Sequence, residues 1–106
     1  MSADKRRSHV DNVVAALQNK DTIAQFTAAQ VLLKRHLIHT REIPNGRDFL
    51  FDGPKEELHA ALKLIVEVEN ASGKLLHMNY VEVDQYFLLR VAGSEADQQI
   101  IAAYFE

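Results

Sequence analysis

Apolar residues return at helical spacing in some stretches of the chain and alternate with polar ones in others, and that contrast orders the whole reading. Val10, Val13, Val14 and Leu17 fall at i, i+3, i+4 and i+7, which predicts an amphipathic helix over roughly residues 3–18. Thr22 and Gln25 have the spacing of a capping box, so a second helix is expected from about residue 22 to His36. Its apolar side carries Ile23, Phe26, Ala29 and Leu33, widened by Val31, Leu32 and Leu37. The two helices are expected to form a hairpin.

From Leu37 the helical period is lost. Ile38, Thr40 and Glu42 alternate with His39, Arg41 and Ile43 before Pro44-Asn45-Gly46, where both Asn45 and Gly46 tolerate positive φ, and Phe49-Leu50-Phe51 follows. A β-hairpin over residues 37–52 is the result. Gly53-Pro54 then opens a helix whose first turn holds Glu56 and Glu57, favourable at the positive end of the helix dipole. Leu58, Ala61, Leu62, Ile65 and Val68 give its buried stripe, and Gly73 is the natural terminator. Residues 75–83 and 86–91, rich in aromatic and β-branched side chains, predict a second hairpin turning at Asp84-Gln85. Ser94 and Asp97 cap a last helix with Ile100, Ile101, Tyr104 and Phe105 on its apolar side, and the chain is expected to end inside it.

A shift of 40 residues lays the first hairpin on the second, pairing Ile38 with Met78, Glu42 with Glu82, Ile43 with Val83, Phe49 with Leu89 and Gly53 with Gly93. The expected fold is α+β: two N-terminal helices, then two ββα units, with an antiparallel sheet of about four strands and helices packed on one face. One domain would cover residues 1–106, divided into a helical hairpin (1–36) and ββα units at 37–73 and 74–106.

Composition narrows the class. With 106 residues and 47% apolar content the chain fills one compact domain, and the longest apolar run is the six residues from Ile100 to Phe105, far below the roughly 20 a membrane helix requires. No membrane association is expected. Lys5-Arg6-Arg7 has no apolar stretch behind it, and cysteine is absent, which removes disulfides and thiolate metal sites and points to the cytoplasm. The net charge of −3 conceals an asymmetry: residues 1–50 hold eight Lys/Arg against five Asp/Glu, and residues 51–106 four against ten.

Candidate chemistry is sparse. His36, His39 and Glu42 have the spacing of metal ligands on a helix, but a change to strand at this point sends residues three apart to opposite faces, so no metal is assigned. His59 borders the buried stripe of its helix, and His77 lies in a strand near Glu82 and Asp84 without a spacing that demands a pair. There is no nucleophile elbow and no glycine-rich phosphate loop. No catalytic residue and no cofactor is assigned.

The expectation is therefore a non-catalytic protein-interaction or regulatory module acting as a homodimer. Arg35, Arg41, Arg47, Tyr80 and Arg90 are the candidate contacts for a protein partner or ligand, on the uncovered sheet face or beside the basic segment. Ile101, Tyr104 and Phe105 are the candidate dimer interface, because one helix face against a sheet cannot bury all of that apolar surface. The rival class is a nucleic-acid-binding regulator presenting Arg6, Arg7, Lys34 and Arg35 to phosphates, disfavoured by a pI near 5.9. A third class, a small enzyme using His39, His59 or His77, requires those histidines to converge.

Overall fold

The computed structural model describes residues 20–71 and 76–106 of the chain. The first expected helix, over residues 3–18, and the terminating Gly73 lie outside them. In order, the described elements are helix α1 (Lys20–His36), strands β1 (Leu37–Ile43) and β2 (Gly46–Phe51), helix α2 (Lys55–Ala71), strands β3 (His77–Val83) and β4 (Tyr86–Ala92), a 3-10 turn (Glu95–Asp97) and the short helix α3 (Gln98–Ala102). The fold is α+β, with three described helices and a four-stranded antiparallel sheet in the order β1-β2-β4-β3.

Two boundaries differ from expectation. α1 is helical from the first described residue, so Thr22 and Gln25 sit within it rather than at its start. α3 ends at Ala102, and Ala103-Tyr104-Phe105 turn out of the helix, with the Glu106 amide donating to the Ala103 carbonyl at 3.0 Å. Before α3, the Asp97 carboxylate accepts from both the backbone N–H (2.9 Å) and the hydroxyl (2.8 Å) of Ser94, which fixes the entry to the terminal segment.

Both hairpins close on two-residue turns with one positive φ each, at Asn45 (64°) and Asp84 (56°). Asn and Asp tolerate the left-handed region, so each turn carries a suitable residue. Gly46 plays another part. It begins β2, and a β-carbon there would stand 2.0 Å from the Val91 carbonyl oxygen, so this glycine permits close approach of two backbones.

Phe49 and Phe51 of β2, Phe87, Leu89 and Val91 of β4, and Met78 of β3 point to one side of the sheet. They join Phe26 and Leu33 of α1, Leu58, Leu62 and Ile65 of α2, and Ile101, Tyr104 and Phe105 in one hydrophobic core. Each fully buried leucine or isoleucine contributes about 2 kcal/mol of transfer free energy, so α1, α2 and the C-terminal segment are all held to this side. The Phe105 ring meets Phe49 at 5.0 Å and Phe51 at 5.4 Å, both edge to face.

The strand registers repeat at the 40-residue shift. Thr40 pairs with Phe49 as Tyr80 pairs with Leu89, and Arg41 with Asp48 as Val81 with Leu88. Across the centre of the sheet Phe49 pairs with Leu89, flanked by Arg47 with Val91 and Phe51 with Phe87, so the shift maps the β2–β4 ladder onto itself. A residue of β1, Ile38, is bulged out of its ladder, where β3 has no such irregularity.

Candidate functional site

The second face of the sheet is built from the residues that alternate with the core. Cross-strand pairing sets them in rows. One row runs Arg41, Asp48, Arg90, Asn79 across all four strands, and the next runs His39, Leu50, Leu88, Val81. Two residues along a strand separate them, so the rows lie roughly 7 Å apart. Among the described residues no element packs on this face: all the helices contribute to the core on the other side.

The polar row centres on Asp48. Its carboxylate is 2% exposed although it belongs to the uncovered face, because two guanidinium groups close over it. Arg90 donates from Nε to Oδ1 at 2.8 Å and from Nη2 to Oδ2 at 3.0 Å, while Arg41 donates from Nη2 to Oδ2 at 2.7 Å. These are charge-assisted bonds, and the Arg90 pair is bidentate. The hydrogen bond from Arg90, followed by that from Arg41, holds the Asp48 carboxyl below its ordinary value against the opposing effect of burial. The arginine side chains remain 63% and 49% exposed.

The apolar row supplies a floor. Leu50 and Leu88, half-buried neighbours on the two central strands, line a shallow pocket of about 230 Å³ together with His39, Arg41 and Asp48. Val81 extends the row at the β3 edge and is 51% exposed. The two rows are counterparts under the 40-residue shift: the positions of Arg41 and Asp48 correspond to Val81 and Leu88, and that of Leu50 to Arg90.

The five contact candidates do not share one surface. Arg41 and Arg90 meet at Asp48, whereas Arg47 lies on the helix side of β2 beside Glu42 and Thr40, with Nη1 3.4 Å from the threonine hydroxyl. Tyr80 is also on the helix side, packed against the core with its ring 5.7 Å from His59. Arg35 is exposed in the last turn of α1, next to Lys34. Asp48, the organising residue, is not among the five sequence candidates. Its signal was the alternation Asp48-Phe49-Leu50-Phe51, which sets a carboxylate opposite the core phenylalanines.

Ile101, Tyr104 and Phe105 are buried within the chain, so they offer no exposed surface to a second copy. The Tyr104 hydroxyl donates to the Glu69 carboxylate at 2.5 Å, and both residues are within 1% of complete burial. Burial, then the neighbouring Glu69 charge, pushes the Tyr104 phenol well above its ordinary value.

The histidines stand apart. His36 closes α1 with Nδ1 3.1 Å from the Asp52 carbonyl oxygen, and His39 lies on the uncovered face while Glu42 lies on the helix side, so the metal-like spacing is divided between faces. His59 stacks on Phe87 at 6.1 Å on the helix side. His39 and His77 occupy opposite edge strands, about 14 Å apart across the sheet and four residues out of row along it. Among the described residues no three His, Asp or Glu side chains are grouped to hold a metal ion, and no helix is long and apolar enough to cross a membrane. Comparison with protein-family models, with curated proteins and with solved structures finds no match.

Proposed function

We propose that this protein is a non-catalytic interaction module that docks a protein segment on the uncovered face of its sheet. One observation carries the reading: a polar row organised by Asp48 runs beside an apolar row formed by Leu50, Leu88 and Val81. A surface that serves only to face water gains nothing from aliphatic side chains at the centre of two strands, and apolar surface rimmed by polar groups is the usual character of a docking site. The separation of His39, His59 and His77 favours docking over acid–base chemistry. A duplicated ββα framework accounts for the repeated register, with one copy charged and the other apolar at three of the four row positions, Arg41/Val81, Asp48/Leu88 and Leu50/Arg90.

The rival nucleic-acid reading finds less support. Sheets that bind single strands stack bases on aromatic rings, and here the central positions are Leu50 and Leu88. Tyr86, the aromatic residue of this face, sits at the end of β4.

A photo-crosslinking residue at Val81, compared with one at the exposed helix position Lys63, tests the proposal in cells. A discrete protein adduct is expected from position 81 alone, and it should vanish when Leu50→Thr and Leu88→Thr are combined. Adducts from Lys63 only, or an adduct from position 81 that persists in the double variant, would contradict it.

A further inference from the structure

Resting on that docking reading, we infer that the partner segment is an acidic amphipathic helix lying across the strands, with carboxylates over Arg41 and Arg90 and its apolar stripe on Leu50, Leu88 and Val81. Three features of the face carry this.

The first is charge. Asp48 is the sole carboxylate among the strand residues of this face, and it is covered by its two arginines. Glu42 and Glu82, the other acidic strand residues, pair with Arg47 and Phe87 and so lie on the helix side. The face is thus a cationic island on a chain of net charge −3. Such a surface attracts carboxylates and repels copies of itself.

The second is donor geometry. Arg41 commits Nη2 to Asp48 and retains Nε and Nη1, and Arg90 commits Nε and Nη2 and retains Nη1. Asp48 fixes both planes, so the free donors are preorganised and little side-chain freedom is lost when a carboxylate arrives.

The third is dimension. The row from β1 to β3 spans about 14 Å between outer strands, which a helix covers with about ten residues at 1.5 Å rise. The two rows, roughly 7 Å apart, match the width of one helix with an apolar stripe and an acidic flank.

The same features weigh against the nearer occupants. A second copy laid face to face would oppose arginines to arginines. The chain's own first 19 residues hold Lys5, Arg6 and Arg7 against Asp4 and Asp11, which gives them the same sign as the face.

Selection of displayed 16-residue random peptides on the full-length protein tests the inference, with binders mapped by amide shifts on labelled protein. The expected binders carry Glu or Asp three or four positions apart beside a leucine-rich stripe, and shift Arg41, Leu50, Leu88 and Arg90. Arg41→Gln with Arg90→Gln should weaken them about tenfold or more, the loss of roughly one charge-assisted bond. Asn79→Asp, at an exposed edge position next to Arg90, should weaken them in a fully folded protein. Neutral or basic peptides mapping to this face would overturn the acidic-helix inference and leave the docking reading standing. Peptides mapping only elsewhere, or none retained above the double arginine variant, would overturn both.

Discussion

Asp48 and Arg90 are 42 positions apart in sequence and share two hydrogen bonds across the central strands of the sheet, at 2.8 and 3.0 Å. Their pairing joins the first hairpin to the second at the charged row of the uncovered face. Arg41, two strands from Arg90, is drawn to the same carboxylate by the register of its own hairpin. The local charge balance therefore makes two demands at once: it keeps Asp48 ionised and holds two guanidinium groups closer than they would stand alone.

Acid stability follows from this arrangement. Asp48 has its folded-state pKa lowered from 3.8, so its contribution is present above that value and is lost as pH falls through the lower folded one. Asp48→Asn should reduce the urea midpoint at pH 7 and flatten its decline below pH 4. Parallel acid limbs in the two proteins would show that Asp48 does not stabilise the fold through its charge.

Tyr104 and Glu69 behave in the opposite sense. Removing the phenol hydroxyl deprives a fully buried carboxylate of a donor, and Tyr104→Phe should cost about 1–3 kcal/mol in a denaturant titration. Because the folded-state phenol is raised above 10.0, wild-type stability should be complete below pH 10 and decline as pH rises from there towards the folded value. Tyr104→Phe should lack that alkaline component.

Phe105 is structural in this fold. Its ring is wedged against Phe49, Phe51 and Tyr104, the last at 4.9 Å, and Phe105→Ala should destabilise the chain by about 3–5 kcal/mol. Native mass spectrometry alongside urea unfolding checks it. An altered oligomer with unchanged stability would restore the terminal segment as an interface.

Gly46 tests the close approach of β2 and β4. The atoms nearest an added β-carbon are backbone, the Val91 oxygen and carbon and the Ala92 α-carbon, so no side-chain rotation relieves the clash. Gly46→Ala should lower the melting temperature markedly and broaden amide signals of residues 90–92, whereas Gly53→Ala, which meets the movable His36 ring, should be milder.

Much of this architecture was legible in the sequence because it is local. The Leu58, Leu62, Ile65 stripe, the turns at Asn45 and Asp84 and the alternation of β4 each follow from residues within one element, and each has a distinct period. The Arg41–Asp48 pair was not legible, since a two-residue turn on Asn45-Gly46 sets Arg41 opposite Leu50, whereas the turn falls on Pro44-Asn45 and moves the register to Asp48. Nor was Arg90: which strands become neighbours depends on how two hairpins pack around a shared core, and nothing near residue 90 encodes its partner at 48. The apolar excess at Ile101, Tyr104 and Phe105 misled for a related reason. It covers the ends of β2 through aromatic contacts that a helical projection of the segment does not contain.

The most direct measurement of the central claim is amide and arginine Nε chemical-shift mapping on isotope-labelled protein with an acidic amphipathic helical peptide. The account predicts saturable shifts at Arg41, Leu50, Leu88 and Arg90, lost in Arg41→Gln/Arg90→Gln. Shifts confined to the shallow groove between α1 and α2, at Ala28, Leu32, Ala60 and Leu64, would contradict it and move the docking surface to the helical side of the molecule.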